Sequence, residues 1–239
     1  MINHPGTPPL HVCADRFPPS FQLPGDANQR LALLRAKRWP AHQRVLHIRF
    51  LDGDPALHAR IQEVAQLWTA SANIRLVFDN APNAVIRIAF SPGPSWSYIG
   101  TDARDPLLRP DEPTMNFGWL TAATPAEELS RVVLHEFGHA LGLIHEHQSP
   151  AASIPWNREA VYRYFAGPPN HWSPDEVDRN IFRRYSRLET NAGPFDPDSI
   201  MLYPIPPEFT DGKLVVGWNR ALSDQDRAVI ATFYPFPAR

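Results

Sequence analysis

Residues 132–150 read VVLHEFGHALGLIHEHQSP, and the reading of this stretch decides the fold. Four histidines and two glutamates stand in an otherwise apolar run. Ionisable groups are costly beside an apolar face unless they are paired or hold a metal. His135 and His139 are four residues apart, so on a helix both imidazoles project from one face. Gly142 is a natural helix-ending residue that turns the chain back and brings in His145 as a third ligand. Three nitrogens suit a tetrahedral zinc with its fourth position open, which marks a catalytic rather than a structural ion. Glu136, beside the first ligand, is placed to serve as general base. A chance match to H-E-x-x-H-x-x-G-x-x-H in such a chain is on the order of 10⁻⁴. Satisfied core histidines therefore account poorly for all three. Spacing favours His145 over His147 as the ligand, leaving His147 beside the site or on the surface.

The remaining composition sets bounds. The chain has 239 residues, 43% hydrophobic and 20% charged, enough for one domain of one or two lobes. A formal net charge of -2 argues against nucleic acid or an anionic membrane as partner. No run approaches the roughly 18 apolar residues of a membrane span. The start, MINHPGTPPLHVCADRFPPS, lacks the basic and apolar regions of a secretory signal. Cys13 is the single cysteine, so no intrachain disulfide can form. The expectation is a monomer acting on a protein or peptide, cytoplasmic or exported by a non-Sec route, with delivery into other cells also open.

Twenty-seven prolines cluster in long loops. Residues 1–36 read as an N-terminal arm and 37–239 as a catalytic domain, with an upper lobe over 37–142 and a lower lobe over 143–239. In the upper lobe, 44–50, 74–79 and 84–90 have strand character, and 95–101 and 114–120 suit two further strands. Residues 55–72 carry apolar side chains at helical spacing. Thr124, Pro125 and Glu127 read as N-cap, N1 and N3 of the zinc-site helix, about 125–141. Short helices are expected at 157–166, 173–184 and 223–233. The sum is an α+β fold with an α/β-like upper lobe. A twisted, mostly parallel mixed sheet carries a backing helix and an active-site helix, beside an irregular C-terminal lobe.

The extended histidine pattern is the zinc signature of the metzincin peptidases. DSIMLYP (198–204) looks like the methionine turn that this group carries beneath its metal, with Met201 at its centre, although methionine is also a common core gap-filler. Within the group the chain resembles the astacins. Glu146 directly follows the third histidine, Ser199 to Tyr203 is similar to S-x-M-H-Y with Leu202 in place of histidine, and SWSYIG (95–100) resembles a family segment that has a cysteine where Ser95 stands. KRWP (37–40) looks like the start of an astacin catalytic domain, and RALSDQDRAVIATFYP (220–235) like its closing helix. MNFGWL (115–120) is also similar to the matrixins. The resemblance implies the metzincin fold, one catalytic Zn2+ and peptide hydrolysis. It further implies that Tyr203 ligates the metal at rest and swings away to stabilise the oxyanion, where the alternative is a tyrosine that only caps the turn. Astacins are generally secreted and disulfide-bonded, and this chain has neither feature.

Glu146 is expected to make a hydrogen bond or ion pair tying the two lobes together. Trp96, Ser97, Tyr98, Ile99 and Gly100 are the candidate upper-rim edge on which an extended peptide can add. A zinc-binding recognition module without turnover is the alternative function, which the presence of Glu136 disfavours. The arm offers two routes to latency. Cys13 could give its thiolate to zinc's open position, as the matrixin cysteine switch does, although the flanking arginine and glycine of that motif are absent. Asp26, in FQLPGD, resembles the aspartate of the astacin propeptide motif. A third possibility is that Cys13 is simply a packed small hydrophobe. Arg30, Arg35, Lys37 and Arg38 offer points for removing the arm.

Overall fold

The computed structural model describes residues 10–20, 37–185 and 193–237. Strands β1 (Val45–Phe50), β2 (Arg75–Phe78), β3 (Ile86–Ala89), β4 (Trp96–Ser97) and β5 (Met115–Asn116) form one sheet in the order β2-β1-β3-β5-β4. All pairings are parallel except β4 with β5. Leu46 and Ile48 of β1 and Ile86 and Ile88 of β3 are buried, as β-branched and aliphatic side chains in a covered sheet should be.

Helix α1 (Pro55–Ala65) backs the sheet, with Asp54 accepting from Ala56 N at 2.8 Å as its N-cap and a proline in its first turn. Its Leu57 and Ile61, with Trp68 just beyond, pack toward helix α2 (Ala126–Ala140) in the upper core with Val133 and Phe137. The start of α2 differs from the sequence expectation. The N-cap position is Pro125, with no side-chain cap. Thr124 is spent elsewhere: its Oγ1 accepts from Thr121 N at 2.8 Å, closing the preceding turn.

The end of α2 follows the expectation. Gly142 lies at φ +96, its N–H donates to His139 O at 2.8 Å, and Leu143 N donates to Gly138 O at 3.0 Å. That is the paired bonding of a Schellman motif. Two carbonyls left over at this end take aromatic donors, Trp39 Nε1 to Ala140 O at 2.8 Å and Tyr234 Oη to Leu141 O at 2.7 Å.

The lower part is loop-rich. It holds α3 (Arg158–Phe165), α4 (Pro174–Val177) running into one π turn at Asp178–Phe182, and α5 (Asp224–Phe233). Capping boxes from Ser173 and Ser223 start α4 and α5. A second apolar cluster includes Val161, Phe165, Phe209 and, from the arm, Leu10, Val12 and Cys13. No described helix is long and apolar enough to cross a membrane.

Candidate metal centre

The helix places His135 and His139 on one face, and the Gly142 turn returns His145 to them. Ring centroids of His139 and His145 are 4.5 Å apart, and those of His135 and His139 4.8 Å. His135 Nδ1 donates to Ile200 O at 2.8 Å and His139 Nδ1 to Leu143 O at 2.9 Å. A carbonyl can only accept, so both Nδ1 atoms carry the proton and both Nε2 lone pairs are free for a metal. Burial and the neighbouring imidazoles hold His135 well below its usual pKa and His139 down to about 3, which keeps the rings neutral.

Two features show that the residues fit a cation. His135 Nε2 is buried with no hydrogen-bond partner. His139 Nε2 and His145 Nε2 face each other at 3.1 Å, an arrangement that needs a proton or a metal between the lone pairs. Cys13 Sγ completes the set: ligand atoms of Cys13, His135, His139 and His145 all lie within 4.8 Å of one another. Three imidazoles and one thiol suit zinc, and this group fits a single ion.

Glu136 is almost wholly buried, and burial pushes its carboxyl up to about 8. Its Oε2 accepts from Cys13 Sγ at 3.3 Å. Met201 sits against the underside of α2 at Gly138. Asp226 fixes the Met201 turn, accepting from Ser199 Oγ at 2.7 Å and Ile200 N at 2.8 Å. Tyr203 packs on His145 with ring centroids 4.5 Å apart, but its hydroxyl donates to Cys13 O. Burial holds that phenol well above its ordinary pKa.

Two expectations, for Glu146 and for the length of the rim strand, need correction. Glu146 does not bridge the lobes. Its Oε1 accepts from Asp196 N at 3.0 Å and its own N–H donates to Met201 O, so it fastens the third-ligand turn to the methionine turn within the lower lobe. Of the two places expected for His147, the structure has it beside the site: it is buried, its Nε2 donating to Asn180 O at 2.7 Å, and it stacks on His145. The rim strand is only Trp96–Ser97, at the sheet edge as expected, with Tyr98 N still donating to Thr114 O at 3.0 Å. Ile99 and Gly100 leave the sheet, because Gly100, at φ +52, opens a 3-10 turn in which Thr101 N reaches Lys37 O at 2.8 Å. Asp26, Arg30 and Arg35 lie outside the described residues.

The arm crosses the cleft. Arg131 Nη2 donates to His11 O at 3.2 Å, Ala14 N donates to Ser95 O at 3.1 Å beside β4, and the Arg16 guanidinium lies 4.2 Å above the Trp96 ring. A recess beside Glu136 and His135 is walled by Trp119, Arg131, Leu202, Pro204 and Trp218. Asp15, two residues past the cysteine, reaches His145. Burial opposes its ionisation, yet the His145 imidazole and Gln148 hold its carboxyl far below the usual range. Asp15, Gly138, Asp226 and the recess are not among the features the sequence singles out. Of these, only Asp15 had a visible pointer, its place beside Cys13.

No protein-family model and no curated protein matches the chain. Solved structures do. One structure of myroilysin is 42% identical, covering 86% of this chain and 98% of that one, with a TM-score of 0.81. A second crystal structure of myroilysin is 38% identical, covering 95% of this chain and 91% of that one, at a TM-score of 0.68. High choriolytic enzyme 1, a hatching-enzyme zinc protease of the medaka Oryzias latipes, is 18% identical over 82% of this chain and 92% of that one, at a TM-score of 0.57, a likeness of fold.

Proposed function

The chain belongs to the metzincin zinc metallopeptidases, and from that premise we propose an astacin-like endopeptidase of the EC 3.4.24 class, made in a latent form and acting through Glu136. One observation carries the reading: Cys13 Sγ stands among three ligand nitrogens and at the same time 3.3 Å from Glu136 Oε2. The sulfur thus occupies the place where a reacting group must sit, touching both the metal position and the base.

His135, His139 and His145 would hold the ion. Zinc, when bound, supplies Lewis acidity that lowers the pKa of a water and polarises the scissile carbonyl. Glu136 then has the task of a base and an acid in turn. It takes the water proton on Oε2 and returns it to the leaving amine. Tyr203, whose hydroxyl donates to a peptide carbonyl of the arm, has a donor available for the substrate's developing oxyanion once the arm is gone. An extended substrate can pair with the Trp96–Ser97 edge where Ala14 N now bonds Ser95 O.

On this reading residues 1–36 are an inhibitory segment and 37–239 the catalytic domain. Casein hydrolysis by full-length protein tests it. Wild type should be silent, Cys13→Ser active without processing, and a mercurial should activate wild type, with a chelator abolishing activity in each case. If Cys13→Ser stays silent while Asp26→Ala is active, the aspartate is the switch. Full activity in unprocessed wild type would mean there is no switch.

A further inference from the structure

Each of the three ligand imidazoles turns its Nδ1 toward an oxygen, but the oxygens differ in origin. Those facing His135 and His139 are the backbone carbonyls of Ile200 and Leu143, in the catalytic domain. The one facing His145 is Oδ1 of Asp15, at 3.0 Å, and it belongs to the arm. The pair is at ion-pair distance without hydrogen-bond alignment. Both side chains are enclosed, with 0% of His145 and 7% of Asp15 exposed.

The aspartate sits in a built socket. Its Oδ2 accepts from Gln148 Nε2 at 3.1 Å, and its backbone N donates to Asn180 Oδ1 at 2.7 Å. Asn180 is in turn anchored by Nδ2 to Glu176 O at 2.8 Å, and Gln148 Nε2 also reaches Arg179 O at 3.0 Å. A plug that needed only its thiol would have no use for a buried carboxylate two residues on, since burying a charge costs several kcal/mol without a partner.

We propose that Asp15 is a positioning residue of the zinc centre: it orients His145 through Nδ1, so the arm secures the metal twice, directly by Cys13 and indirectly through the third histidine. An outer carboxylate fixes the ligand's tautomer and ring angle and raises the basicity of the coordinating nitrogen. Removing the arm then takes away a ligand's partner along with the thiol. The processed enzyme should hold its zinc less tightly than loss of the thiol alone would cause. The inference rests on the zinc-peptidase reading above.

Zinc affinity in the full-length chain, measured by competition with a chromophoric chelator, tests this without any activity assay. The Cys13→Ser variant removes the direct ligand and sets the reference. Cys13→Ser/Asp15→Ala should bind zinc about 10- to 100-fold more weakly than Cys13→Ser. Cys13→Ser/Asp15→Asn, which keeps the volume and one carbonyl oxygen but not the charge, should fall between and also covers the case in which the alanine variant does not fold. A merely structural Asp15 would lower the melting temperature of the metal-free protein and leave zinc affinity alone. Affinities within two-fold of the reference in the folded variants overturn the proposal and leave the peptidase reading standing. A Cys13→Ser protein that takes up no zinc at all would sink that broader reading instead.

Discussion

The side chain of Met201 fills the space that a side chain at position 138 would need. A Cβ built on Gly138 would lie far inside contact distance of Met201 Sδ and 3.2 Å from Trp68 Cζ2. Two effects then oppose each other in Gly138→Ala. Replacing a glycine in the last turn of a helix by alanine gains at most about 1 kcal/mol in propensity, while overpacking a tight core costs about 1–3 kcal/mol. Met201 is 2% exposed and Trp68 0%, so neither has free space to move into, and the clash should win. The expected outcome is a lower melting temperature, read by calorimetry. In a Met201→Ala background the same Gly138→Ala change should cost clearly less, because the tightest contact is gone and only the Trp68 contact at 3.2 Å still opposes the propensity gain. Additive effects in that double-mutant cycle would show that the two residues do not compete for space.

Glu136→Ala should bind about one zinc per chain, since His135, His139 and His145 are untouched, yet lose nearly all turnover. His139→Ala should instead fail to hold zinc and lose the part of its stability that metal binding contributes. Metal analysis beside a peptidase assay on activated protein separates the two. Activity within a few-fold of wild type in Glu136→Ala would remove it as the base, and unchanged zinc in His139→Ala would remove that ligand.

What was legible in the chain, and what was not, follows from the range of the interactions. The histidine spacing and the Gly142 stop are local patterns, and each appears in the structure where the sequence puts it; the backing helix starts at Pro55 as expected but gives way after Ala65 to a 3-10 stretch, Gln66–Ala70, short of the expected 55–72. Thr124 departs from the expected N-cap because an N-cap and a turn bond are both local options for the same hydroxyl, and only the geometry chooses. The rim strand is shorter than its sequence suggests because alternation in SWSYIG continues past the point where Gly100 lets the chain leave the sheet. Gly138 looks like an ordinary small residue in HEFGH, and its reason lies in Met201, sixty-odd positions away. Asp15 and His145 are farther apart still, and no periodicity links them.

Tyr203→Phe should retain zinc and fold but lower kcat more than it raises KM, as expected for a donor that acts mainly in the transition state. In the unprocessed chain the same change removes the bond to Cys13 O, so the arm should also be held less firmly. Stopped assays on activated protein read the first effect and Cys13 labelling the second. An unchanged kcat would make the tyrosine a structural residue of the methionine turn.

The grip of the arm on the lower lobe is apolar as well as chemical, and Leu10 tests that part alone. Leu10 is 3% exposed within the second core cluster, its N–H donates to Tyr164 Oη at 2.9 Å, and its carbonyl accepts from Asn170 Nδ2 at 3.2 Å. Leu10→Ala keeps both backbone bonds and removes only packing. Such truncations in a close-packed core cost about 2.7–5 kcal/mol. Leu10 is on the arm, so most of that loss falls on docking of the arm rather than on the domain. At 1.4 kcal/mol per tenfold, even the lower figure raises the undocked population about 100-fold. Cys13 is the sole cysteine, and it is buried, so its alkylation rate reports undocking directly. Metal-free Leu10→Ala should label on the order of 100-fold faster than metal-free wild type, and the zinc-loaded variant should show partial peptidase activity before processing. Asp54→Ala, which weakens the cap of α1 far from the cleft, serves as a control and should leave the labelling rate unchanged. Equal labelling of Leu10→Ala and wild type would mean that the thiol and Asp15, not the apolar contacts, hold the arm in place.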